Sequence, residues 1–179
     1  MLSGGATGGM DGNPETAIEE LFDSYASDVY RFVRYMIGDS PDIDDIIQEI
    51  FYRAYKSWHQ FRGQASAKTW LLRMARNYVI DQLRRTKRRP KYLDIADCQI
   101  AVQHDPLARI EMEELILKLP AKYRQVIILR YVEACSVHDT AIVLGWSESK
   151  VRTCAHRALK MLRSILEESC MKGAGTSGI

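Results

Sequence analysis

Two blocks of positive charge are the clearest chemical signal in the sequence. Residues 62–91 carry ten basic side chains and one acidic, and residues 118–163 carry nine basic and three acidic. Acidic stretches precede both blocks, so the net charge of +2 conceals an alternating pattern. Because guanidinium and ammonium groups neutralise phosphates, two separate basic blocks favour one long polyanion contacted twice. For either block taken alone, the alternative interpretation is a helix face whose charges are exposed to solvent and bind no partner.

The C-terminal basic block lies on a predicted helix-turn-helix. Ser136 and Asp139 form a capping-box-like start to a short helix that ends at Gly145, and Ser147 caps a longer basic helix. The second helix of such a unit fits the major groove, where polar side chains reach base edges. A helical hairpin with a basic solvent face is the alternative. The outward face of the long helix offers Ser149, Lys150, Arg152, Thr153, His156, Arg157 and Lys160.

The N-terminal basic block is interleaved with aromatic side chains. Phe61 opens a short loop, and Trp70 and Tyr78 lie on the predicted helix that follows. Cationic side chains that contact the phosphate backbone, together with aromatic rings that stack on bases, are typical of a surface that binds single-stranded nucleic acid. Trp70 and Tyr78 share the apolar stripe of their helix, which favours core positions for those two. Phe61 is better placed to meet a base.

An acidic cluster begins the predicted helix before that loop. Asp45 and Glu49 are spaced i, i+4 and therefore share a face. Carboxylates can bind Mg²⁺, but no phosphate-cradling glycine loop accompanies them, so a protein-binding surface is favoured. Complementation of the helix dipole is the plainer alternative.

Cysteine and histidine positions do not predict a metal centre. Cys135 with His138, and Cys154 with His156, have partial zinc-ligand spacing but are not expected to converge. No nucleophile, base and orienting group stand together in the sequence. We therefore expect no metal, no cofactor and no catalytic site.

Helical periodicity explains how these groups are positioned. Apolar residues recur at intervals of three and four, and no strand alternation stands out. We expect an all-α fold of two small helical domains, residues 15–90 and 106–168, joined by a flexible linker at 91–105. Residues 1–14 and 169–179 are expected to be disordered. The predicted helices cover about 15–37, 41–58, 67–88, 106–118, 120–132, 136–144 and 148–167.

Composition excludes several classes of protein. The 179 residues are 46% apolar and 27% charged, which suits one or two globular domains. No apolar run approaches the ~18 residues of a membrane span, and no secretion signal opens the chain. Four scattered cysteines do not form a disulfide scaffold, so we expect a cytoplasmic protein.

The sequence resembles regions 2 and 4 of the extracytoplasmic-function (ECF, group 4) sigma factors of bacterial RNA polymerase, in the sigma-70 family. Both regions occur in the family's order. The resemblance to region 2 is carried by Asp44–Tyr55, Phe61–Gly63, Thr69–Asn77, Asp81 and the run Leu83-Arg84-Arg85. The resemblance to region 4 is carried by Leu119-Pro120, Tyr123-Arg124, Ile127–Tyr131, Ser147–Arg152 and His156–Ala158. Lys68–Leu72 and Ser147–Val151 are most similar to the sigma-X branch.

The resemblance implies a dissociable initiation factor, not an enzyme, that binds core RNA polymerase and promoter DNA. Region 2 would bind the β′ clamp helices through Asp45, Gln48, Glu49, Phe51 and Arg53. It would recognise and melt the −10 element, with a flipped base in the loop, through Phe61, Arg62, Gln64, Ser66, Arg73, Arg76, Asn77 and Arg84. Region 4 would meet the β flap and read the −35 element through the seven outward residues of the last helix. An anti-sigma factor, often membrane-anchored, is also implied, without membrane insertion of this chain.

Two other functions remain open at this point. A stand-alone helix-turn-helix regulator would use residues 1–90 for dimerisation or sensing, and would bind dyad-symmetric sites without polymerase. An enzyme with a metal on the aspartate cluster would show Mg²⁺-dependent turnover.

Overall fold

The computed structural model describes residues 13–86 and 106–173, and in these ranges every regular element is helical. The helices are α1 (Pro14–Ile37), α2 (Ile43–Ser57), α3 (Ala67–Thr86), α4 (Pro106–Leu117), α5 (Ala121–Ile127), α6 (Val137–Leu144) and α7 (Glu148–Gly173). A 3₁₀ turn spans Trp58–Gln60, and a π-helical turn spans Ile128–Val132. The predicted all-α class is therefore confirmed. The predicted linker at 91–105, and residues 1–12 and 174–179 of the predicted disordered ends, lie outside the described residues.

Local capping explains where the first three helices begin and end. The side chain of Asn13 accepts a hydrogen bond from the Glu15 amide, and Gly38 ends α1 with a positive φ of 83°, which glycine adopts without strain. Ser66 caps α3 as predicted, since its hydroxyl accepts from the Thr69 amide at 3.1 Å. Helix α2 begins two residues later than predicted because Ser40 accepts from the Asp42 amide and holds a turn before Ile43.

The helix-turn-helix forms as predicted. The Ser136 hydroxyl accepts from the Asp139 amide at 2.9 Å, and Gly145 takes the left-handed conformation that ends α6. Ser147 accepts from the Lys150 amide at 3.3 Å and begins α7. Helix α7 continues to Gly173, beyond the predicted end at 167.

The helix predicted at 120–132 divides in two. Helix α5 ends at Ile127, and the next turn is π-helical, with the Glu133 amide bonded to the Ile128 carbonyl at 2.8 Å. Ala134 follows with a positive φ of 52°. The wider turn shifts the helical register, so Tyr131 is exposed and the Glu133 side chain is turned into the protein.

We call α1–α3 the N-terminal module and α4–α7 the C-terminal module. Their buried residues form one continuous hydrophobic cluster, which includes Phe32 and Leu71 from the first and Leu119 and Ile128 from the second. At the end of α1, a Cβ on Gly38 would lie 3.2 Å from the Leu117 side chain of α4. The two modules are thus packed directly against each other. None of the seven helices described is long and apolar enough to span a membrane.

The buried thiol of Cys135 gives a prediction about alkylation. Burial raises the pKa of this thiol from 9.0 to about 11. At pH 8 its thiolate fraction is about one in a thousand, against about one in ten for an unperturbed thiol. We expect iodoacetamide to modify Cys135 at least about a hundredfold more slowly in the native protein than in guanidinium chloride, as measured by peptide mass spectrometry. Equal rates in the two conditions would contradict the buried placement.

Candidate nucleic-acid and polymerase interfaces

The first candidate surface is the polar face of α2. Asp45 and Gln48 are exposed, and Glu49 accepts a hydrogen bond from Arg53 Nε at 2.7 Å across one helical turn. Phe51 differs from these residues because it is only 5% exposed, with its ring 4.9 Å from that of Phe22. Phe51 therefore holds α2 against the core, while the four polar residues form the accessible surface.

The loop between α2 and α3 is anchored by three aromatic rings. Phe61 stacks on Trp58 with ring centroids 5.3 Å apart, and Trp70 lies 5.0 Å from Phe61 and 6.0 Å from Trp58. Trp70 packs against the core, as its place on the apolar stripe predicts. Phe61 is half-buried in the cluster, so one of its faces is already occupied by Trp58.

Helix α3 presents its cations along one side. Arg73, Asn77 and Arg84 are exposed, whereas Arg76 is half-buried and donates to Asn77 Oδ1 at 3.0 Å and to Gln125 Oε1 at 3.1 Å. Burial lowers the pKa of the Arg76 guanidinium, and the charge of Arg84 lowers it further. Gln125 belongs to α5, so the C-terminal module already uses one of the residues predicted to bind DNA.

A cavity of about 700 Å³ lies between the loop and the helix-turn-helix. Predicted −10 residues of the loop and α3 line one side of this cavity, and the turn between α6 and α7 lines the other. These two segments are far apart in the sequence. The lining includes Phe61, Arg62, Gln64, Trp70 and Arg73 on one side and His138, Trp146 and Glu148 on the other. Ser66 is exposed nearby, with its hydroxyl 2.7 Å from the Thr69 hydroxyl.

The seven predicted −35 residues all lie exposed on one face of α7. Lys150 Nζ sits 4.3 Å from the centre of the Trp146 ring, and Arg152 donates to Glu148 at 2.8 Å. These contacts lie within the C-terminal module and leave the face open. Leu159 is an apolar residue of α7 that is 41% exposed, whereas Met161, Leu162 and Ile165 beyond it pack against the core.

The structure also places a half-buried cation, Arg124, to which sequence reasoning assigned no role. Arg124 Nη1 donates to the Met36 carbonyl at 2.5 Å, and Nη2 donates to the carbonyls of Leu117 and Leu119 at 2.5 and 3.0 Å. It thereby caps the end of α1 and the end of α4 together. Burial lowers the pKa of this guanidinium. In the described residues no group of three His, Cys, Asp or Glu side chains could hold a metal ion.

Family models match both modules. Sigma-70 region 2 matches residues 21–89, and sigma-70 region 4 matches residues 109–162. The chain belongs to the sigma-70 family. Two similar proteins of Bacillus subtilis (strain 168) place it in the ECF group. They are the ECF RNA polymerase sigma factors SigX, 37% identical over 86% of this chain and 85% of SigX, and SigW, 30% identical over 86% and 91%.

Solved structures confirm the fold of this ECF sigma factor. CnrH, in complex with the cytosolic domain of CnrY, has a TM-score of 0.68 at 24% identity over 88% of this chain and 91% of that one. RpoE of Bartonella quintana, in complex with the anti-sigma factor NepR, has a TM-score of 0.71 at 18% identity over 86% and 96%. The match to both sigma-70 regions and the 37% identity with SigX show that the chain is an initiation factor that directs RNA polymerase to promoters.

Proposed function

We propose that this ECF sigma factor divides promoter recognition between its modules. The polar face of α2 docks on core polymerase, the loop and α3 engage the −10 element, and α7 reads the −35 element. The observation that carries this proposal is the placement of two separate cationic faces, on α3 and α7, with the acidic α2 face beside the first. Each of these faces lies inside a matched sigma-70 region.

The −10 element is engaged as a single strand. Flipping a base out of the duplex costs a few kcal/mol of stacking and pairing, so a preformed site and backbone cations must offset that cost. The loop offers Phe61 and Gln64 beside Arg62, and Arg73 and Asn77 continue the surface along α3. Packing of Phe61 between Trp58 and Trp70 holds one side of this loop in place, which limits the conformational entropy that the loop loses on binding.

The partners follow from the same surfaces. The β′ clamp helices meet α2, and the β flap meets the first helices of the C-terminal module. An anti-sigma factor holds the chain when it is inactive, consistent with the solved relatives, which were captured with CnrY and NepR. We place the protein in the cytoplasm, where polymerase acts, and assign it no catalytic activity and no cofactor.

Run-off transcription tests the proposal. Core polymerase with this chain should yield promoter-specific transcripts that core polymerase alone does not make, with start sites mapped on genomic templates. A gel shift with the chain alone distinguishes a stand-alone regulator, which would bind a dyad-symmetric duplex tightly without polymerase. Absence of any promoter-specific transcript would overturn the proposal.

Removing Arg152 tests the role of α7. This guanidinium is exposed and can fork to two acceptors on a guanine or a phosphate. We expect Arg152→Ala to weaken holoenzyme binding at one −35 position by about 1–3 kcal/mol, measured on a series of single-base promoter variants. Arg163→Ala, further along the same helix, is the control and should change the affinity little. If Arg152→Ala left both affinity and specificity for the −35 element unchanged, Arg152 would be excluded from −35 recognition.

A further inference from the structure

Glu148 is the first residue of the helix that carries the predicted −35 residues, and both of its carboxylate oxygens have a partner. Oε2 accepts a hydrogen bond from Nη2 of Arg152 at 2.8 Å, one turn further along α7. Oε1 lies 3.3 Å from Nδ1 of His138, which belongs to α6 on the other side of the turn. The carboxylate is therefore held from two directions, once by each helix of the helix-turn-helix.

Arg152 pairs with Glu148 and, in the parts of the chain that the structure describes, with no other group. The side chain of Arg152 is 61% exposed and that of Glu148 is 41% exposed. One N–H of the guanidinium donates to Glu148, and the others are available to acceptors on DNA. An exposed pair one turn apart contributes little to the stability of a helix. Its main consequence is the position in which it holds the guanidinium.

Lys150, a second cation on the same face, is held in a different way. Its Nζ lies 4.3 Å from the centre of the Trp146 ring, which carries no net charge. Lys150 therefore keeps its full positive charge, whereas Glu148 partly neutralises the charge of Arg152. Contact with a phosphate depends on charge, and reading of a base edge depends on directed hydrogen bonds. The start of α7 thus presents one cation suited to phosphate and one suited to bases.

The pair with Glu148 restricts what Arg152 gains from a wrong sequence. An unpaired guanidinium can turn to the nearest phosphate on any DNA and bind it through its charge. With Glu148 beside it, that contact would leave the carboxylate without its partner and close to a phosphate, where like charges repel. A guanine in the groove can instead accept from the remaining N–H groups while the pair stays intact. Specificity is a difference between two affinities, so a lower affinity for wrong sequences raises it.

We propose that Glu148 is a positioning residue that determines −35 specificity: it holds Arg152 for reading a base and prevents its contact with phosphate on other sequences. The inference rests on the proposed function of α7. Glu148 acts through the guanidinium and does not itself read a base. His138 supports the carboxylate from α6, so the turn of the helix-turn-helix fixes the direction of the pair.

A plainer role for Glu148 is to complement the positive end of the α7 dipole. That role depends on the backbone amides at the start of α7 and is independent of Arg152. The positioning role, in contrast, disappears when Arg152 is removed. A double-mutant cycle between these two residues therefore separates the two roles.

The test applies this cycle to the holoenzyme formed by core polymerase and the full chain. The variants are Glu148→Gln, Arg152→Ala and the two combined. Each is titrated with a promoter duplex that the wild-type holoenzyme transcribes, with its single-base −35 variants, and with a duplex of scrambled −35 sequence. The control is Glu167→Gln, which removes the same charge from an exposed position near the far end of α7. Affinities are measured by fluorescence anisotropy at one salt concentration, since phosphate contacts are salt-dependent.

Glu148→Gln should bind the scrambled duplex about threefold tighter, and its preference for the promoter base at the position that Arg152 reads should fall about threefold. In the Arg152→Ala background the same change should alter that preference by less than about 1.5-fold. The control variant should also keep the preference within about 1.5-fold of wild type. An unchanged preference in Glu148→Gln, or an equal loss in both backgrounds, would overturn the inference.

Failure of the proposed function gives a different result. If Arg152→Ala kept the full preference at every −35 position, the assigned role of Arg152 would be wrong, and the inference would be wrong with it. If Arg152→Ala lost the preference while Glu148→Gln kept it, −35 reading by α7 would stand and only the positioning role of Glu148 would be excluded. The Tm of Glu148→Gln should match that of the wild type, which excludes unfolding as the cause of any change.

Discussion

Reversing two charges on α2 should abolish stable association with core polymerase. Asp45 and Glu49 are accessible on one face, and the Glu49 pair with Arg53 lies on the surface of a single helix. Losing one partner of a charge pair at an interface costs about 2 kcal/mol or more, which is roughly thirtyfold in Kd. We expect Asp45→Lys/Glu49→Lys to weaken binding of core polymerase by at least that factor, measured by surface plasmon resonance, and to eliminate run-off transcripts.

The chain offers a closely matched control for this charge reversal. Glu15 and Glu19 are also spaced i, i+4, are exposed, and begin a helix. Glu15→Lys/Glu19→Lys therefore makes the same change in net charge and the same loss of a carboxylate near a helix N-terminus. Core binding should persist in this control. Equal loss in both double variants would point to overall charge instead of a docking face.

Truncating Arg124 should have the largest effect on stability. Its guanidinium satisfies three carbonyls, those of Met36, Leu117 and Leu119, at the junction of α1 with α4. Alanine leaves these acceptors without the charged donor, and each buried acceptor that loses its partner costs about 1–3 kcal/mol. We expect Arg124→Ala to lower the free energy of unfolding by about 3 kcal/mol.

Thermal unfolding followed by circular dichroism measures this effect. A loss of about 3 kcal/mol lowers the Tm of a chain of this size by roughly 6–12 °C. Arg124→Lys keeps the positive charge but loses the guanidinium N–H groups that reach several carbonyls. The Tm of this variant should therefore lie between those of the wild type and of Arg124→Ala. Arg163→Ala, on the exposed side of α7, should shift stability by less than about 0.5 kcal/mol. An unchanged Tm in Arg124→Ala would contradict the capping role.

The sequence-based prediction was accurate where contacts are local. The caps formed by Ser66, Ser136 and Ser147 and the turn at Gly145 depend on residues a few positions apart, and the structure confirms them. The exposed face of α7 follows from helical spacing in the same way. Helical spacing also places Phe51 on the buried stripe of α2, where the structure finds it, whereas the resemblance assigns the same residue to polymerase binding.

The division of the fifth predicted helix and the burial of Glu133 have a common physical cause. The division of the 120–132 helix depends on a π turn that changes register by one residue, which average periodicity does not reveal. That shift buries Glu133, whose partner Arg31 is 102 positions away. The pairing of Arg31 with Glu133 depends on how the modules pack, and the periodicity of the sequence does not predict it.

The amino-acid sequence by itself therefore determined the all-helical class, the sigma-70 family and the two cationic faces, since helix periodicity, capping and motifs are read over short spans. Only the tertiary structure decided that the modules share one hydrophobic cluster, that Arg124 joins α1 to α4, and that Glu133 reaches the cations beside the −10 surface. These features depend on burial and on long-range complementarity of shape and charge, which arise only when distant segments are packed together.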